Sequence, residues 1–457
     1  MASSFIAASS PPQRIAIAAA VVAAGWAAWH LLTREETQTS RRRILVAEPS
    51  LTSLEEKYLI RAYRSTFISG GAGSYKDRLE KEFAAMCGCK YGVAVCNGTV
   101  AIDLVLVASG LKKGDEVIVP SFTYIASVAA IVNAGGVPVL VDSDPRTGLI
   151  DPRAVAKAIS PRTKFLMVVH LYGYACDMDP LLALASEHSL TVIEDAAESH
   201  GATYKGKVVG SFGAAATFSF YANKTMTTGE GGIVVTNDAN IWKRLTYLRG
   251  HAMSPALRFW HTDVGYNYRL SNLLCAVGVA QLERFPELVA KRKKLIDRYI
   301  KAFDGFEGIK ISPNDKDTKL SVNSAPAPWL ACVELPAQHA DKRDFLCSEI
   351  ESRGIETRPF FYPVHTMPPY RQYRMVLADG TVLTDQRDPY SFQTVAERFA
   401  AAGFNIPTTV DLPEADVTFI LKNIKEVLEM YLRDGVPCKI VRPVFPESFM
   451  EQTAATL

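Results

Sequence analysis

Between residues 92 and 236 the chain alternates short, unbroken apolar runs with stretches of helical spacing. The runs 92–96, 116–119, 137–141, 165–170, 191–194, 217–221 and 233–236 are too short for helices and are bounded by turn-forming residues. Each predicts a strand buried on both faces. Helical spacing follows from Asn97 through Ser109 and again from Thr123. Repeated units of this kind predict a mostly parallel sheet covered by helices on both faces.

The pattern changes after Arg269. A long helix is expected from Ser271 to about Phe303, with a break at Pro286 left open, since an interior proline removes one ladder hydrogen bond. Residues 329–335 predict a strand, and 341–353 and 414–432 predict helices, a mixture that suits a small α+β domain. The fold class is therefore α/β: a large domain with a mostly parallel central sheet flanked by helices, plus a smaller α+β C-terminal domain. The expected divisions are an N-terminal segment 1–50, a large domain 51–290, a small domain 291–436 and a tail 437–457. Phe67-Ile-Ser-Gly-Gly-Ala-Gly73 precedes a helix but follows no strand, so it is not read as a dinucleotide fingerprint.

The first fifty residues are unlike the rest. Ile15 to Leu32 is an 18-residue run without charge, preceded by Arg14 and followed by Arg41-Arg-Arg43. Its length just suffices to span a bilayer as a helix. The expected role is a membrane anchor with the remainder on the cytosolic side. An organelle-targeting peptide stays open, because no acidic residue occurs before Glu35. The net charge of +2 gives no field for nucleic acid, and no nucleic-acid partner is expected. Eight cysteines, none in a CxxC pair or a zinc-type spacing, read as reduced thiols, and no metal site is expected.

Two polar residues stand out against this apolar frame. Asp195 closes the run 191–194, and in open α/β sheets the carboxyl ends of strands face the ligand crevice. Lys224 follows the run 217–221 inside a Thr- and Gly-rich turn. A desolvated lysine has a lowered pKa and can act as a nucleophilic amine toward an aldehyde cofactor. Alone, the lysine reads as a solvated loop residue and the aspartate as a cap or metal ligand. Together they match what pyridoxal phosphate (PLP) needs, an amine and a carboxylate for its pyridine nitrogen. Gly98-Thr99-Val100, opening a helix, offers backbone N–H groups and a hydroxyl to a phosphate, although Thr99 could equally be a plain N-cap.

Several runs occur in the order found in one known family. They are Cys96-Asn-Gly-Thr99, Pro120-Ser-Phe-Thr-Tyr124, His170-Leu-Tyr-Gly173, Glu194-Asp-Ala-Ala-Glu-Ser-His-Gly201, Phe220-Tyr-Ala-Asn-Lys-Thr225 and Gly265-Tyr-Asn-Tyr-Arg-Leu-Ser271. The chain resembles, over roughly residues 70–432, the sugar aminotransferases of nucleotide-sugar and antibiotic-sugar biosynthesis, which have PLP fold type I. The Lys224 run and Pro363-Val-His-Thr-Met-Pro-Pro369 look most like the perosamine-forming branch, which moves an amino group from L-glutamate to C4 of GDP-4-keto-6-deoxymannose. The same chemistry on a UDP- or dTDP-linked keto sugar stays open. A PLP-dependent sugar dehydratase is disfavoured because that branch replaces the lysine with histidine. A non-catalytic scaffold is disfavoured by the intact Asp195, Ser219 and Lys224.

The resemblance implies roles for further residues. Lys224 would be the catalytic lysine. Ser219 would supply a second phosphate hydroxyl, and Tyr124 would stack on the cofactor ring. Glu198 would contact the cofactor's 3-oxygen, with its protonation state open. Asn267 would reach the phosphate of the other subunit, making the active sites of a homodimer composite. His365 would contact the sugar, while His170 and His200 read as structural supports. Residues 371–390 exceed what the family needs and read as an inserted, mobile loop.

Overall fold

The structure, a computed structural model, describes residues 43–71, 73–306, 308–314, 324–384 and 394–431. The hydrophobic segment 15–32 and the tail 437–457 lie outside the described residues. The described residues from Leu45 onward form one compact unit. Among the described residues no helix is long and apolar enough to cross a membrane.

In chain order, α1 (Ser53–Arg64) and α2 (Ser74–Met86) lead into β1 (Tyr91–Val95). Alternation then runs through α3 (Gly98–Ala108), β2 (Glu116–Pro120), α4 (Ala126–Asn133), β3 (Val137–Val141), α5 (Pro152–Ala158), β4 (Thr163–Val169), α6 (Met178–Glu187) and β5 (Thr191–Asp195). A small hairpin, β6 (Thr203–Tyr204) and β7 (Lys207–Val208), precedes β8 (Ala215–Ser219), β9 (Gly232–Thr236) and α7 (Ala239–Arg249). The long helix α8 (Asn272–Ala302) follows, continuous through Pro286.

The remaining strands are β10 (Lys310–Ser312), β11 (Ala331–Glu334), β12 (Arg358–Pro359), β13 (Met375–Val376), β14 (Val382–Leu383) and β15 (Gly403–Ile406). Helices α9 (Arg343–Ser352), α10 (Val395–Ala402) and α11 (Glu414–Tyr431) accompany them.

The central sheet has the strand order β1-β9-β8-β5-β4-β2-β3-β13-β14. Its middle, from β8 to β13, is parallel throughout. The expected mostly parallel sheet is present, and β2, β8 and β9 are buried along their full length. A second, four-stranded sheet is antiparallel in the order β10-β11-β15-β12.

Residues 371–384 depart from the loop expectation. Met375 and Val376 pair in parallel with Leu140 and Val141, extending the central sheet beyond β3, and β14 turns back on β13. Arg374 ties the same segment down, donating to Glu116 at 2.9 Å and to the Ala158 carbonyl at 2.8 Å. A strand of two residues carries no periodicity that a sequence reading could detect.

Candidate active site

The carboxyl ends of β5 and β8 and the start of α3 converge on a cavity of about 570 Å³. Gly98, Thr99, Val100, Tyr124, Asp195, Glu198, Ser219 and Lys224 all line it. Each was expected from the sequence, and the fold brings all eight together.

One wall is an anion cradle. The Asn97 side chain caps α3, accepting the Val100 N–H at 2.9 Å. The cap is Asn97, not Thr99. This leaves the Thr99 hydroxyl and the leading N–H groups to face the cavity with the helix dipole behind them. The Val100 N–H is spoken for by the cap. Ser219, ending β8, closes the cradle so tightly that a Cβ on Gly98 would lie 2.8 Å from the Ser219 Cβ. The Ser219 Oγ accepts the Tyr221 N–H at 3.3 Å, which leaves its proton to donate.

The opposite end is carboxylate and amine. Asp195 is buried, receives a hydrogen bond from the Ser127 hydroxyl at 2.7 Å and another from the Ala197 N–H at 3.2 Å. Burial pushes its carboxyl up, against the pull of Ser127 and Lys224. Lys224 is 12% exposed and sits 3.6 Å from Glu198 Oε1. Its Nζ also lies 3.7 Å from the centroid of the Trp329 ring. Burial lowers the Lys224 ammonium, with Glu198 and Asp195 opposing. Burial likewise raises Glu198, to about 7, even though Lys224 and the Tyr172 N–H, 3.0 Å from its other oxygen, favour the charged form.

Second contacts hold these groups in place. Trp329 donates its indole N–H to the Asn223 carbonyl at 2.7 Å, fixing the ring beneath the lysine. Tyr124 is 55% exposed at the cavity, its ring 5.5 Å from that of Phe361. His170 accepts the Cys176 N–H at Nδ1 and meets Glu194 through Nε2 at 3.1 Å, so both nitrogens serve the scaffold. His200 is buried among Phe83, Phe218 and Phe220, and burial lowers its imidazolium to about 3.

Two expected site residues are not in this cavity. His365 is buried, with Nδ1 2.7 Å from the Ser121 hydroxyl and Nε2 3.3 Å from Glu397. Asn267 is exposed, on a stretch whose Tyr268 carbonyl accepts the Cys96 N–H. Sequence reasoning missed Ser127, Trp329, Arg358, Phe361 and Asn405, which also line the cavity.

The residues present fit PLP. Gly98 lets the Ser219 hydroxyl come close beside the helix N-terminus at the cavity wall, which suits a phosphate lying against both. A buried carboxylate with one hydroxyl partner suits a protonated ring nitrogen, and a lysine whose ammonium burial lowers suits an aldehyde. Asn223, which lines the cavity, has a buried side-chain oxygen without a hydrogen-bond partner.

Fold and cavity together define a PLP-dependent aminotransferase. Residues 49–425 match the model of the DegT/DnrJ/EryC1/StrS aminotransferase family, and the chain belongs to that family. It is 42% identical to the GDP-perosamine synthase of Caulobacter vibrioides over 84% of this chain and 98% of that protein. The GDP-perosamine synthase of Escherichia coli O157:H7 is 39% identical over the same shares. Among solved structures, the aminotransferase from Psychrobacter cryohalolentis superposes with a TM-score of 0.75 at 31% identity, over 84% of this chain and 99% of that one.

Proposed function

We propose that this chain transfers the amino group of L-glutamate to C4 of a nucleotide-linked 4-keto-6-deoxy sugar, GDP-4-keto-6-deoxymannose, giving GDP-perosamine. The observation that carries the reading is the buried Lys224, Asp195 and Glu198 set beside an anion cradle, in a chain that aligns with nearly the whole length of GDP-perosamine synthases.

PLP supplies the aldehyde that accepts the amino group and a ring that disperses the electron pair left when a C–H bond breaks. Lys224 would hold the aldehyde cofactor, and its Nζ would move the proton from the donor's Cα. Burial supports this role by raising the neutral fraction of the amine. Asp195 offsets the charge of the ring nitrogen, and Ser127 holds Asp195 in place. Gly98, Thr99 and Ser219 would hold the phosphate, with Val100 walling the cradle, and Tyr124 would cover the ring. Glu198, its carboxyl raised to about 7 by burial, would contact the ring oxygen by sharing a proton rather than meeting it as a second anion.

The decisive experiment incubates the protein with PLP, glutamate and 4-keto-6-deoxy sugars linked to GDP, UDP and dTDP. Mass spectrometry of the products should show amination of the GDP sugar first. Preference for another nucleotide would move the chain to the runner-up reading.

The working form is proposed to be a homodimer with Asn267 completing the neighbour's site. Phe259, Trp260 and Val264 are 75%, 60% and 85% exposed just before it, an apolar surface that a second copy would cover. Mixing inactive Lys224→Ala with inactive Asn267→Ala chains should restore part of the activity. Mixed dimers that stay inactive would count against a shared site. Residues 15–32 are proposed to anchor the enzyme with its catalytic part in the cytosol.

A further inference from the structure

The proton that Lys224 carries needs a place to wait. Once Nζ has taken it from the donor's Cα, the side chain is an ammonium inside a cavity where burial disfavours charge. The charged and titratable groups around it are Glu198, Asp195, Arg358 on β12, His200, and Arg292 of α8, which donates to the Thr225 carbonyl at 3.1 Å. None is a dependable counter-ion. Glu198, 3.6 Å away, is raised to about 7 and carries its full charge only above that. Asp195 is engaged by the Ser127 hydroxyl and serves the ring nitrogen. Arg358 and Arg292 repel a cation, and His200 is neutral near pH 7, its imidazolium lowered to about 3.

The remaining partner is a ring face. Nζ lies 3.7 Å from the centroid of Trp329, well inside the roughly 6 Å within which an aromatic quadrupole attracts an ammonium. Trp329 cannot turn away. Its indole N–H donates to the Asn223 carbonyl at 2.7 Å, and its ring lies 17° from parallel with that of Tyr172, at 6.2 Å. Tyr172 is itself an outlier, buried with φ at +51°, a left-handed conformation that costs an aromatic residue. Several contacts hold it there. Its hydroxyl accepts the Phe361 N–H at 3.2 Å, and its ring stacks at 4.8 Å on Phe360 and 5.2 Å on Phe361. Its own N–H reaches Glu198 at 3.0 Å. The adjoining Gly173 carbonyl accepts the Ala327 N–H at 2.9 Å, which fixes the segment leading to Trp329. One strained residue thus sets both the acid and the ring face that Lys224 meets.

We propose that the Trp329 face is the seat of the Lys224 ammonium whenever the lysine is not bonded to the cofactor, and that Tyr172 is the positioning residue that holds this seat. The inference rests on the reading of Lys224 as the proton carrier. A cation–π contact favours the ammonium over the amine, so it opposes burial without adding a fixed negative charge. A permanent carboxylate in the same place would hold the ammonium more tightly and withhold the free amine from the aldehyde. The ring keeps the proton on Nζ until it returns to carbon, and still lets the amine lose it.

The test needs neither cofactor nor sugar. Trace acetylation of Lys224 by acetic anhydride in the cofactor-free protein, read by mass spectrometry of its peptide across pH, gives the midpoint at which the amine loses its proton. Trp329→Leu should lower that midpoint by about one pH unit, a roughly tenfold shift toward the amine, as expected for loss of a desolvated cation–π contact. Trp329→Phe keeps a ring face but not the indole N–H, and should stay closer to wild type. Tyr172→Leu should also lower the midpoint, with Trp329 present but unbacked. The midpoint, unlike the plateau rate, does not depend on steric access, and the phenylalanine variant guards against a misfolded leucine variant. A midpoint unchanged or raised in Trp329→Leu would overturn the proposal. Equal falls in the two Trp329 variants would overturn it as well, by assigning the effect to the bond with Asn223. A wild-type midpoint in Tyr172→Leu would remove Tyr172 from the role. The sugar-nucleotide assay can fail while this midpoint shifts as expected, so the substrate reading and this one fall separately.

Discussion

The Lys224 Nζ lies 3.6 Å from Glu198 Oε1, and burial moves both groups toward their neutral forms. In water such a pair would be fully ionised at neutral pH. Inside this cavity the amine is lowered and the acid is raised to about 7, so a proton is cheap to move between nearby atoms. The ring of Trp329 below the amine and the Tyr172 N–H behind the acid keep both from swinging out to solvent.

Lys224→Ala removes both the covalent attachment point and the proton carrier. Turnover should fall by about 10⁴-fold or more, in line with the loss of a covalent catalyst. The absorption band of the lysine-bound cofactor should disappear, while far-ultraviolet circular dichroism stays unchanged. Steady-state assay with absorbance spectra checks both. Turnover within tenfold of wild type would refute the role.

Glu198 makes a prediction about stability of the cofactor-free chain. Its folded pKa is raised from 4.5 to about 7, chiefly by burial. A raised carboxyl contributes stability that is fully present below about pH 4.5 and lost as pH rises through about 7. Lys224 is lowered, so its contribution is present above its unfolded pKa and lost as pH falls through the folded one. Between pH 4.5 and 7 the Glu198 contribution is lost, with an upper bound on the order of 3 kcal/mol. Urea unfolding of the cofactor-free protein should show stability falling across that window, and Glu198→Gln should flatten that part of the fall. An identical pH profile in the variant would show that Glu198 ionises freely.

Much of this site could be read from the sequence because strand ends are visible there. Asp195 closes a short apolar run, Lys224 follows another at a turn, and Ser219 lies within that second run, where the family resemblance marked it. The unbroken β5 and β8 then carry these residues to the same edge. Trp329 was not visible, because it meets Asn223 across 106 residues and arrives on the connection to the small sheet. Arg358 and Asn405 become neighbours only through the β12–β15 register. Local spacing says nothing about either pairing. His365 had a local signal, two nearby prolines, but the signal describes backbone stiffness and not direction. The side chain turns inward to Ser121 and Glu397.

Gly98→Ala tests the cradle without touching any charge. The added methyl would start 2.8 Å from the Ser219 Cβ, so either the serine or the helix start must move. Overpacking of this kind costs about 1–3 kcal/mol. The cost falls on the wall where the phosphate binds, so PLP affinity should drop roughly 5- to 150-fold with little change in global stability. Equilibrium dialysis against PLP, beside a thermal melt, separates the two effects. Unchanged affinity would place the phosphate elsewhere.

The N-terminal segment is the part of the chain that the enzyme core does not explain. Ile15 to Leu32 has 18 residues and no charge. As a helix it would span roughly 27 Å, near the lower limit for a bilayer core. Its many alanines are weakly apolar, so insertion would be marginal in energy. Arg34 and Arg41-Arg-Arg43 on the C-terminal side outnumber Arg14 on the other. Acidic residues between them count little in setting orientation, so the C-terminal side should stay cytosolic. That side also has the reducing environment that the free, mostly buried cysteines suit. The full chain should sediment with membranes, resist carbonate extraction and remain open to protease on the cytosolic face. A chain starting at Glu48 should stay in the supernatant with undiminished activity. Recovery of the full chain in the supernatant, or cleaved inside an organelle, would exchange the anchor for a targeting peptide or a tail without a role.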